Sequence, residues 1–241
     1  MAVSEFPDAR RATRRFYLLV AVLFPLIVLA GFARTYYLKE IFGTPPLSSL
    51  LVHLHGLLMT TWVVLFIAQV WFISSKRIRL HQRLGYLGIG LALTIIPVGV
   101  LTAISAAKYG SASTPPAIPP LSFLVVPVFD MVVFAILFGA AVYYRKRPAN
   151  HKRLMLLTVL NFLPPAIARI PLAFVAAAGP LVFFGVPDIL AIVFLVADTW
   201  RERKLNKVFL AGTILLIASH PLRLILGGTE AWMSFAAWLT R

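Results

Sequence analysis

The chain has 241 residues, a formal net charge of +15 and no cysteine, and it is 60% hydrophobic but only 13% charged. Soluble domains are about half apolar and about a quarter charged, so a fold surrounded by water is excluded and lipid is the expected solvent. The basic residues sit in short clusters between apolar runs, not along an aromatic-interleaved stripe, which excludes nucleic acid as partner. The lack of cysteine excludes disulfides, thiolate metal sites and iron–sulfur clusters.

Apolar runs of about 20 residues, long enough to cross hydrocarbon, fall near 16–36, 48–74, 84–106, 121–144, 154–177, 180–200 and 207–228. They predict an all-α polytopic membrane helix bundle of about seven transmembrane helices, in a single domain over 1–241. The first run, Phe16 to Ala33, follows Arg10, Arg11, Arg14 and Arg15 as in a signal peptide. It exceeds a typical signal core and is predicted to be a retained helix.

Basic clusters recur in every second connection: Lys76, Arg77, Arg79 and Arg83; then Arg145, Lys146, Arg147, Lys152 and Arg153; then Arg201, Arg203, Lys204 and Lys207. The other connections hold Lys39, Lys108 and little else. Lysine and arginine concentrate on the cytoplasmic side, so the N-terminus is predicted inside and the C-terminus outside. Adding or dropping a helix destroys the alternation.

Tyr17, Trp71, Tyr86, Tyr143, Tyr144 and Trp200 are expected at the inner interface, and Tyr36, Tyr37, Tyr109, Trp232 and Trp238 at the outer one. Gly110 to Pro120 reads as an outer Ser/Pro-rich loop. Thr229 is placed to cap a short C-terminal interfacial helix carrying Trp232, Phe235 and Trp238.

The sequence also echoes itself. Residues 76–84 (KRIRLHQRL) and 146–154 (KRPANHKRL) both fit K-R-x-x-x-H-x-R-L. Each lies at the inner turn of a helical hairpin, so 48–106 and 121–177 read as a hairpin repeat.

Ionisable groups within spans cost roughly 2.5–3.5 kcal/mol each on insertion scales and are usually paired or functional. His53, His55, Asp130, Arg169, Asp188, His220 and Arg223 are predicted to share a layer roughly 8–14 Å below the outer face at the helical rise. His53 and His55 lie about 200° apart around a helix and cannot share a face. His55 aligns with Met59, Trp62, Phe66 and Gln69 and is expected to face the interior. Thr213, His220 and Arg223 share a face of the last span. Pro164 and Pro165 interrupt the fifth span before Arg169 and free carbonyls near Asn161. The expected polar network is therefore His53, Gln69, Asp130, Asn161, Arg169, Asp188 and Arg223.

Several roles fit this layer. Asp130 and Asp188 balance Arg169 and Arg223, so ion pairs alone would satisfy it and fix the packing register. A metal on His55 and His220 matches no motif spacing and is opposed by two arginines; none is expected. Haem b needs only two axial imidazoles. His55 with His220 would clamp one haem in the outer leaflet, and His81 with His151 a second at the inner face near arginines. Stacked, the two would form a membrane electron path. A scaffolding or accessory subunit of a larger membrane complex fits the absence of soluble domains. A small-solute or proton transporter fits the hairpin echo and the broken helix. No phosphate loop, Gly-x-Ser-x-Gly or His-Glu-x-x-His occurs, and no catalytic residue is assigned.

The stretch from His53 to Ala103 resembles a widespread group of bacterial multi-pass membrane proteins without a settled activity. The likeness rests on His55-Gly56, Gln69, Leu80-His81 and Leu84-Gly85, and extends to the Asn-His-Lys-Arg-Leu opening of the fifth span. It implies a multi-pass protein of the bacterial inner membrane. His55, Gly56, Met59 and His81 also resemble, more faintly, the transmembrane b-type di-haem cytochromes, which implies haem ligation. In those proteins further histidines continue on successive helices, whereas the fourth span here has none.

Overall fold

The computed structural model describes residues 7–44, 47, 49–110 and 118–241, with side chains from Arg14 onward except Ala176. Most of the expected Ser/Pro-rich loop (111–117) and the side chains of Arg10 and Arg11 lie outside the described residues. Among those described, the only regular structure is helical.

Helix α1 (Pro7–Phe32) runs into a π-helical turn at Ala33–Tyr37. α2 (Leu50–Ser74) starts where the Ser49 hydroxyl accepts from the Val52 amide at 3.4 Å. α3 (Ile78–Tyr109) follows a tight reversal in which Lys76 takes a left-handed φ of 59°. A short α4 (Pro120–Phe123) leads into α5 (Val125–Tyr143). α6 (Pro148–Asn161), α7 (Leu163–Ile167), α8 (Ala173–Ala178) and α9 (Pro180–Phe183) are short pieces. α10 (Gly185–Glu202) and α11 (Lys207–Leu226) form the last long hairpin. α12 (Glu230–Leu239) is capped, as the sequence predicts, by the Thr229 hydroxyl accepting from the Trp232 amide at 3.2 Å.

Among the described residues, six helices are long and apolar enough to cross a membrane: Arg14–Tyr37, Leu50–Ser74, Ile78–Tyr109, Pro120–Lys146, Pro180–Glu202 and Lys207–Leu226. The region expected as one fifth helix is not continuous. Pro164 and Pro165 have no N–H to offer the Leu160 and Asn161 carbonyls, so α6 ends and α7 begins afresh. A second interruption at 168–172 separates α7 from α8. α6 nevertheless forms the axis of the bundle, with Leu156 to Asn161 all buried. A helix apolar on every side must be sheathed by others. α1, α5, α10 and α11 supply that sheath, with Phe24, Leu137, Ala191 and Phe209 buried around it. Outward-facing Leu50, Leu181, Leu87 and Trp200 are strongly exposed, as lipid-facing side chains are.

Two close approaches fix the frame. Gly31 lies so near Ala166 that a Cβ there would overlap the Ala166 backbone, which lets α1 lie directly on α7. Arg153, early in α6, donates through Nε to Asp198 Oδ2 near the end of α10 at 2.7 Å. Since α7 also contacts α9, the α6–α7 pair runs antiparallel to α10 along its length.

Candidate functional site

The basic end of the bundle is where α2 turns into α3, α5 into α6 and α10 into α11. A cavity of about 1770 Å³ occupies it. Trp62, Phe66, Phe138 and Leu156 form its apolar floor, and Arg79, Arg83, Arg145 and Lys146 are among its basic rim.

His81 and His151, the histidines of the two echoed segments, meet in this cavity. Each lies in the first turn of its helix, and their ring centroids are 6.2 Å apart with planes at 74°. His151 Nδ1 lies 2.9 Å from the Ala141 carbonyl oxygen. A carbonyl only accepts, so Nδ1 carries a proton, which in the neutral tautomer leaves the lone pair on Nε2. His81 Nδ1 is buried without a hydrogen-bond partner. Gln69 lines the same cavity with its Oε1 buried and unpartnered, as is the Trp62 Nε1.

The other polar cluster is at the far end. Arg223 pairs with Asp130 inside the bundle and also donates to Ser219 Oγ at 3.1 Å. Asn161 Nδ2 donates to the Asp130 carbonyl at 3.0 Å, across the gap left by the broken helix. His220 Nδ1 lies 2.8 Å from Asp188 Oδ1, and its ring stacks on Phe184 with centroids 4.4 Å apart. Thr213, His220 and Arg223 are all buried on one face of α11. His55 has Arg169 as its charged neighbour. Arg169 lies over the Phe32 ring and donates to the Pro165 carbonyl at 2.6 Å.

The structure changes the expected set in three places. His53 is exposed, because it lies on the opposite face of α2 from His55. Gln69 belongs to the basic-end cavity, four helical turns from His55 on α2, and not to the far layer. Asp188 is paired with His220 instead of an arginine. Among the described residues, no ring contact or hydrogen bond joins His55 to His220, and His55 Nδ1 and His220 Nε2 are both buried without a hydrogen-bond partner. His220 is turned onto Asp188 and Phe184, and His55 sits beside Arg169.

No known family model, curated protein or solved structure matches the chain. The likeness at His55-Gly56, Gln69 and Leu80-His81 therefore stays a likeness in those positions. Among the described residues, no three His, Cys, Asp or Glu side chains gather as a metal site.

Residue-pattern reasoning missed the Arg153–Asp198 pair, which Arg201 extends at 3.4 Å from Asp198. The signal was present: Asp198 is an acid inside an apolar run. Arg153 was counted only among the cytoplasmic charges, although it is buried.

Proposed function

We propose that this multi-pass membrane protein holds haem b in the basic-end cavity, between His81 and His151, for electron transfer in the bacterial inner membrane. The observation that carries it is the histidine pair. Haem b would need two facing imidazoles with centroids roughly 6 Å apart; His81 and His151 would supply them, with centroids 6.2 Å apart.

The surroundings suit the group. The apolar floor takes a macrocycle, and Arg79, Arg83 and Arg145 on the rim suit two propionates. The Ala141 carbonyl orients His151 and leaves Nε2 to ligate, the usual outer support for a ligating imidazole. Haem bound there supplies a one-electron couple. The chain's part is to hold two neutral imidazoles, neutralise the propionates and keep the ring face away from water with Trp62, Phe66 and Phe138.

The topology belongs to the same proposal. α6 and α7 together hold enough residues to cross hydrocarbon, roughly 30 Å at the helical rise. Counted as a crossing, they bring the total to seven, with the N-terminus cytoplasmic, the basic end inside and α12 outside, as the Lys/Arg alternation requires.

Electron paramagnetic resonance of the protein reconstituted with ferric haem b tests the ligation. A low-spin bis-imidazole signal is expected. A high-spin signal, or free haem alone, would rule out the His81–His151 pair as ligands.

A further inference from the structure

The cavity is larger than the roughly 300–1,000 Å³ of a typical single-ligand pocket. One group of its lining residues has its own chemistry. Arg14 of α1, Lys152 of α6 and Arg201 of α10 line it together with Tyr17 of α1. Glu202 is the one acidic side chain among the described lining residues.

Arg201 already pairs with Asp198 and Glu202 at 3.4 and 3.5 Å. Among the described residues, no carboxylate pairs with Arg14 or Lys152. Lys152 Nζ lies 5.9 Å from the centroid of the Tyr17 ring, so the ammonium and the phenol share one corner of the cavity. The same cavity is also lined by the apolar side chains of Phe66, Val70 and Leu156. Along α2 the lined stretch runs from Ser74 to Trp62, about 18 Å at the helical rise. That is comparable to the thickness of one lipid leaflet.

The geometry points to a bound anionic phospholipid. Its phosphate is held by Arg14, Lys152 and the Tyr17 hydroxyl, and one acyl chain lies against Phe66, Val70 and Leu156. Two cations without a carboxylate partner in a cavity with apolar walls fit a ligand with an anionic head and a hydrocarbon tail. Basic pockets between helices on the cytoplasmic side are suited to such lipids. This site uses none of the histidines and none of the arginines assigned to the propionates, and it shares Phe66 and Leu156 with the apolar floor.

Thermal unfolding of the delipidated full chain in detergent tests it with three probes: phosphatidylglycerol, phosphatidylcholine and inorganic phosphate. Phosphatidylglycerol alone should raise the midpoint. The Arg14→Gln/Lys152→Gln double variant should bind it about thirtyfold more weakly, from about 1 kcal/mol per basic residue. Lys39→Gln, at the other end of the bundle, should bind normally. An equal rise with phosphatidylcholine, or displacement of the lipid by inorganic phosphate, overturns the proposal; the latter would make the corner a soluble-anion site.

Native mass spectrometry of the unaltered protein gives a second arm that needs no variant. One retained phosphatidylglycerol per chain supports the site, and its absence after mild extraction overturns it. Any haem absorption should survive the double variant, so failure of one proposal can be told from failure of the other.

Discussion

Arg223 on α11 reaches Asp130 on α5 across 93 positions of sequence, and neither side chain is appreciably exposed. Removing one partner strands the other charge in a low-dielectric interior, at a cost of about 3–5 kcal/mol, whereas replacing both with apolar groups is often nearly neutral. Arg223→Met and Asp130→Leu should therefore each lower the thermal midpoint sharply, while the double variant recovers most of the loss. Two additive losses in the double variant would mean that the pair is not a coupled unit.

The Arg153–Asp198 contact clamps α6 to α10 from within. Salt screens exposed charges strongly and buried pairs weakly. Asp198→Asn should lower the midpoint by the same amount in low and high salt. A loss that disappears in high salt would assign the effect to the exposed Glu202 and the half-buried Arg201.

The contact of α1 with α7 depends on the missing side chain at Gly31. Gly31→Val would drive its side chain into the Ala166 backbone and should separate the two helices. Gly139 has open space where a Cβ would go. Gly139→Ala should therefore be neutral or stabilise by roughly 0.5–1 kcal/mol, since it relieves the entropic cost of glycine in a helix. Equal unfolding midpoints for the two variants would refute the close crossing.

The absence of cysteine makes topology directly testable with single-cysteine variants. An impermeant maleimide should label Lys204→Cys only from the cytoplasmic side and Thr240→Cys only from the opposite side. If α6 and α7 do not cross together, these sides exchange, and the seven-crossing arrangement falls with them.

Much of this architecture was legible because hydrocarbon imposes simple rules. Run length predicted the long helices, and the missing proline N–H groups predicted the break before Arg169. Helical periodicity predicted that His53 and His55 lie on different faces and that Thr213, His220 and Arg223 share one, although His53, which is exposed, was expected in the polar network. Pairing was less legible. Periodicity assigns a residue to a face but not to a partner, so Asp188 was matched with an arginine and Arg153 with the cytoplasm. His55 and His220 share a depth, and depth says nothing about position around the bundle. The two histidines of the K-R-x-x-x-H-x-R-L echo do lie together, with ring centroids 6.2 Å apart.

The most direct test is an optical titration of the purified protein with haem b. A one-to-one complex with a Soret band should form, persist in His55→Ala and His220→Ala, and be lost in both His81→Ala and His151→Ala. No Soret band with the unaltered protein, or a band that survives loss of the His81–His151 pair, would contradict haem ligation in the basic-end cavity.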